Sequence, residues 1–369
     1  MTIPDPAILA LLGVSWTTGA LLLSTAGFAF KVVRHWDIAN PSEAQLILER
    51  RTYLVSTLLT FGFVAGTGAL LLFVYTVGSL AGQFVGAMCA TGVLGVNPWG
   101  WPTLFLKITV FFAGAAWLML NRLDNRGHDY PLVRLKYGLL FAIIPLVLAE
   151  ALTQTLYFLN MDRDIITSCC GSLFTPEGEG VAAELSGVSP RAALSAFYIG
   201  AAVVLACLLG EFMASGNRGR GSRRPSPDRS PAHTARPAGW IPLASWPRWR
   251  GIGIAASGAL AFVTGLVAIV SVIALYRYEH PHHHCPFCIL DAGYGFVGYW
   301  LYVPLFAATA LTLGLGVIGP WGRIESLREA ARIDTRRFAS LALLLFVVFY
   351  GVAAWVIIRS NLTMVGVWW

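Results

Sequence analysis

The feature that most constrains this chain is the recurrence of long runs with almost no charge. Eight such runs, at 7–30, 53–80, 103–121, 135–158, 190–213, 251–276, 289–318 and 338–359, meet or approach the ~20 residues that a helix needs to cross hydrocarbon. The composition agrees: 56% of residues are hydrophobic and 12% are charged, where a soluble domain carries about 25% charged residues. The expected fold is therefore all-α, a polytopic membrane bundle of about eight spanning helices. The first run has no basic segment before it and no small-residue cleavage site, so it reads as a retained helix and not as a signal peptide.

The net charge of +7 does not point to nucleic acid, because the basic residues alternate with the loops. The loops at 31–52, 122–136, 214–250 and 319–337 hold 21 of the 26 Lys and Arg residues. Arg163, Arg191, Arg277 and Arg359 are on the opposite side, and Lys107 lies within a helix. Basic loops stay cytoplasmic, which implies both termini outside. Arginine outnumbers lysine 23 to 3 among many Ala and Gly residues, a hint of a GC-rich bacterial genome and hence of a multi-pass protein of the bacterial inner membrane. The segment 215–249 is rich in Arg, Pro, Ser and Gly. Such a composition buries too little apolar surface to order itself, and its arginines suit anionic lipid headgroups. It reads as a cytoplasmic linker that divides a five-helix part, 1–214, from a three-helix part, 250–369.

The same polarity gathers five cysteines on the outer side: Cys89, Cys169, Cys170, Cys285 and Cys288. Disulfides form and persist there. Cys285-Pro286-Phe287-Cys288 is a CxxC motif, a pattern for redox or metal chemistry. At a helix start, the dipole and free N–H groups would favour a thiolate. An inert disulfide pinning two helices is the plainer reading. Asp291, three residues after Cys288, would share a helical face with it and accept the proton of an oxidised thiol. Gly295 and Gly298 would continue that face as a groove, with Tyr294, Phe296, Tyr299 and Trp300 offering aromatic surface for a flat quinone ring. Close helix packing and interfacial anchoring account for the same residues. Cys169 and Cys170 are adjacent, and the ring that would join them is strained. One of them pairs more readily with Cys89, leaving the other for exchange.

Four histidines, His280, His282, His283 and His284, precede the motif. They read as copper or zinc ligands, as electrostatic activators of the thiols, or as a solvated loop. The other histidines, His35, His128 and His233, fall in cytoplasmic loops, so no pair is placed to hold a b-type haem. The CxxCH string of c-type attachment is absent, and no haem is expected. Lys107 and Glu150 are intramembrane charges, functional candidates by default. They neutralise each other, or frame a proton route or polarise a bound quinone, or Lys107 snorkels outward instead.

The arrangement of Cys285 and Cys288 resembles two families of quinone-linked membrane thiol oxidoreductases, the disulfide-bond-formation protein B and vitamin K epoxide reductase families. Those families set a CxxC pair at the outer end of a spanning helix, beside a quinone, on a four-helix core. A second cysteine pair in an outer loop passes electrons. The resemblance covers about a dozen residues and implies that Cys89 with Cys169 or Cys170 serves as the second pair. Three functions follow as expectations. One is thiol–disulfide exchange between a periplasmic thiol protein and quinone. Another is copper or zinc handling. The third is a non-catalytic anchor for other membrane subunits.

Overall fold

The computed structural model describes residues 5–38, 42–84, 87, 89–162, 188–221, 248–281 and 283–363. Eight helices among them are long and apolar enough to cross a membrane. They are α1 (Pro6–His35), α2 (Glu43–Ser79), α3 (Gly100–Asp124), α4 (Val133–Leu159), α5 (Pro190–Gly221), α6 (beginning as Arg248–Ala268), α7 (Val297–Ile318) and α8 (Arg328–Arg359). A π-helical turn, Ile269–Ile273, and a further helical turn, Ala274–Tyr278, continue α6. The chain is thus an all-helical, polytopic membrane protein. Large apolar side chains such as Leu23, Phe61, Leu152, Trp300 and Ile358 face outward. On a protein in water that surface would be a liability; here it is the surface that meets lipid.

Local sequence sets the helix ends. Asp5 accepts from the Ala7 N–H with Pro6 at the first helical position, and Ser42 accepts from the Gln45 N–H. Both are N-caps of the favoured type. Helix α2 starts ten residues before its apolar run because this cap carries the helix beyond the hydrocarbon-length stretch. One boundary differs more deeply. The run at 289–318 reads as one continuous helix, yet α7 begins only at Val297. Gly295 and Phe296 both have left-handed backbones, with φ of 67° and 54°, and two such residues in succession cannot continue a right-handed helix. Residues 288–294 instead form two short 3₁₀ turns.

The spans pack as two groups of four. Helices α1–α4 form a closed ring in which each packs on its neighbours, and α5–α8 form a second ring of the same kind. The five-plus-three division drawn from the linker is one of sequence, and the packing groups the spans differently. Helix α5 runs into the first residues of the 215–249 segment, and its main packing is against α6 and α8. Side-chain fit decides the grouping: a Cβ on Gly200 would lie 2.5 Å from Thr264 of α6, and Phe197 meets Tyr350 of α8 at 5.0 Å between ring centres. Most of the linker itself lies outside the described residues.

The two groups meet along a seam between α3 and α7. In its middle, Phe112 stacks on Phe306 at 5.8 Å, and Phe262 of α6 meets both rings edge-on. Met119 lies where a Cβ on Gly314 would be, so the two helices approach closely there. At one end of the seam, buried Asp334 of α8 pairs with Arg122 at 3.4 Å and Arg126 at 3.1 Å. At the other end lie the cysteines.

Candidate functional site

Two connections build the site, one from each four-helix group. The first runs from α2 to α3 and contains Cys89, which leads into a short helix, Ala90–Leu94. The second runs from α6 to α7 and contains Cys285 and Cys288. Consecutive spans alternate in direction, so both connections emerge at the same end of the molecule. The sulfurs of Cys89, Cys285 and Cys288 all lie within 4.8 Å of one another. Cys89 Sγ is 3.3 Å from Cys285 Sγ, across 196 residues of sequence. Cys285 is fully buried, Cys89 nearly so, and Cys288 half-buried.

The CxxC loop is held at every residue. The Tyr278 hydroxyl donates to the Cys285 carbonyl at 2.6 Å, and the Tyr302 hydroxyl to the Pro286 carbonyl at 2.8 Å. Phe287 packs into the apolar core of the first group, beside Trp101 at 6.2 Å between ring centres. The Cys288 carbonyl accepts from the Asp291 N–H. His284 Nδ1 lies 3.1 Å from the Val270 carbonyl, within the π-helical turn of α6. Such turns leave helical carbonyls without their usual partner and recur at functional sites; here His284 ties the loop to one. Arg277 closes the far side by donating twice to the Tyr294 carbonyl.

Cys285 is the hub of the three thiols. Its sulfur accepts from the Cys288 and Cys89 thiols, from Thr91 Oγ1 at 3.4 Å and from the Cys288 N–H at 3.4 Å. Hydrogen bonds to a charged form favour it. These donors, the Cys288 thiol first, hold the Cys285 thiol well below its ordinary value despite its burial. The two donors pay the converse: hydrogen bonding to Cys285 pushes both Cys288 and Cys89 up. Of the three thiols, Cys285 is therefore the most readily ionised. Burial also lowers the His283 imidazole, which stacks on Tyr278 at 4.2 Å.

The remaining expected site residues fall elsewhere. Asp291 is exposed and caps a 3₁₀ turn through the Gly293 N–H at 2.8 Å. It does not share a helical face with Cys288, because the helix has not yet begun. For the same reason, the lowering of the Cys285 thiol comes from its hydrogen-bond partners and not from a spanning helix's dipole. Gly298 offers no groove: a Cβ there would lie 2.7 Å from Leu290. Lys107 and Glu150 meet each other inside the first group, where Ser15 also donates to the Glu150 carboxylate. Tyr294 and Tyr299 belong to the loop and first turn of the second group. Tyr294 packs on Tyr278 at 4.6 Å between ring centres. Phe287, Trp101 and Phe105 add further aromatic surface beside the cysteines.

Among the described histidines, His280, His283 and His284 do not join the sulfur cluster. His282, Cys169 and Cys170 lie outside the described residues, so the pairing expected for Cys89 with Cys169 or Cys170 falls there too. The neighbour found for Cys89 is Cys285. Sequence reasoning missed Thr91, Tyr278, Tyr302 and Phe287 as builders of the site. The only signal for Thr91 was its place two residues after Cys89.

Comparison with protein-family models, curated protein sequences and solved structures finds no match to this chain.

Proposed function

We propose that the protein is a membrane thiol–disulfide oxidoreductase whose working centre is Cys89, Cys285 and Cys288. The observation that carries this reading is the 3.3 Å contact between Cys89 and Cys285, made while Cys285 is also in contact with Cys288. One sulfur thus has two alternative disulfide partners within reach. The arginine-rich connections face the cytosol, so the centre opens on the outer face of a bacterial inner membrane.

In the oxidised protein, Cys285 and Cys288 share a disulfide. An external thiolate attacks half-buried Cys288, and the S–S bond breaks with Cys285 leaving as thiolate. A low thiol pKa makes a good leaving group, and the donors around Cys285 lower it. The external partner's second thiol then resolves the mixed disulfide. The partner leaves oxidised, and Cys285 and Cys288 are left reduced. Within the protein, Cys89, on losing its proton, can attack the Cys285–Cys288 disulfide at Cys285. The products are a Cys89–Cys285 disulfide and a Cys288 thiolate, with no net change of electrons. Reoxidation of the dithiol removes two electrons and two protons, for which a quinone-class acceptor in the lipid is the partner of matching stoichiometry. The exposed edge beside Phe287, Trp101 and Phe105 is the surface it would approach. The reverse direction uses the same bonds.

Thiol trapping in intact cells tests the reading. After mild reduction, a membrane-impermeant alkylating reagent is expected to label Cys288, and added quinone to restore protection. A cysteine state indifferent to quinone and to external dithiols would remove this function.

A further inference from the structure

We propose that the reduced form of this three-cysteine centre binds one copper(I) ion through sulfur alone, and that the bound ion blocks thiol exchange. The inference rests on the redox reading only for the second part, the block.

The geometry matches the ion in several respects. A metal–sulfur bond of about 2.3 Å to three sulfurs in a trigonal plane separates those sulfurs by about 4 Å. The three sulfurs lie within 4.8 Å of one another, with the closest contact 3.3 Å. The closest pair would need to separate by less than ~1 Å to take the ion. The donors are also uniform. Among the described residues, the ligand atoms gathered within 4.8 Å of one another are the three sulfurs. Thiolate-only sites suit copper(I), whereas structural zinc almost always takes four ligands. This differs from the expectation that the histidine run supplies the ligands. His284 is tied through Nδ1 to Val270, and His283 is stacked on Tyr278.

The site is also built on two separately packed helix groups, with Cys89 from one and Cys285 and Cys288 from the other. An ion held by all three would staple the groups as a disulfide does, but without oxidation. Binding displaces thiol protons and occupies every sulfur that exchange requires.

The test uses the full-length protein in detergent, reduced and kept free of oxygen, titrated with copper(I) against a chromogenic copper(I) chelator. One equivalent is expected to be retained. It should be lost in each of Cys89→Ser, Cys285→Ser and Cys288→Ser, and kept in His280→Ala and His282→Ala. The sulfur-to-copper charge-transfer absorption reports the ligands directly, and elution as a single folded species qualifies each variant. Copper-loaded protein is expected to resist formation of the Cys89–Cys285 disulfide. Failure to retain copper, preference for zinc, or loss in the histidine variants with retention in the cysteine variants would overturn the proposal. Copper-free protein that forms no disulfide among the three cysteines would instead sink the redox reading, leaving the metal result to stand by itself.

Discussion

The two ends of the α3–α7 seam fasten the same pair of helix groups by different chemistry. At one end, Asp334 accepts Arg122 and Arg126, a charge pairing that holds without any change of oxidation state. At the other, three cysteine sulfurs meet within 4.8 Å of one another. On the proposed function, the first end is a permanent clamp and the second a switchable one. The charged end and the Phe112–Phe306 middle would then keep the groups in register while the sulfurs rearrange.

The largest effect is expected at the hub. Cys285→Ser should reduce disulfide formation within the cluster to background, because Cys285 is common to both pairings. Cys89→Ser should leave the Cys285–Cys288 disulfide intact. Disulfide content by mass spectrometry checks both, and equal loss in the two variants would erase the distinction between hub and partner. At the opposite end, Asp334→Asn should destabilise by about 1.5–3 kcal/mol, the range for hydrogen bonds to charged groups. Thermal unfolding in detergent reads this loss. The redox behaviour of the cysteines should not change; if it did, the two ends would not be independent.

A smaller effect is expected on pH. The folded Cys285 thiol titrates below the ordinary value of about 8.5, so its thiolate persists as pH falls past that value and is lost only at the lowered one. Ultraviolet thiolate absorbance should show this. Cys288→Ala, which removes the leading donor, should move the midpoint upward; a downward shift would contradict the assigned direction. The smallest effect belongs to the scaffold. Tyr302→Phe removes one hydrogen bond to the motif, worth about 0.5–1.5 kcal/mol. Equilibration in a thiol redox buffer should then show a modest shift in the Cys285–Cys288 couple, while Asp334→Asn shows none.

The spans were legible because crossing hydrocarbon demands length and apolarity, both visible one residue at a time. The start of α7 was not, since Ile289 to Phe296 is apolar enough to pass for helix. What ends it is backbone conformation at Gly295 and Phe296. The four-plus-four grouping was hidden as well, because packing of α5 depends on contacts such as Gly200 with Thr264 and not on the linker beside it. At the site, Cys285 and Cys288 announced themselves by spacing, and the loop polarity put Cys89 at the same end. That Cys89 touches Cys285 could not be read from the chain, since 196 residues and a seam between two helix groups lie between them. The intramembrane Lys107 and Glu150 were found by charge alone, and their mutual pairing was one of several readings that charge allowed.

Disulfide mapping of the oxidised full-length protein tests the central claim most directly. The account predicts two linked species in exchange, Cys285 joined to Cys288 and Cys285 joined to Cys89, with their ratio set by the redox buffer. A Cys89 found joined only to Cys169 or Cys170, or a Cys285 that never leaves Cys288, would contradict it.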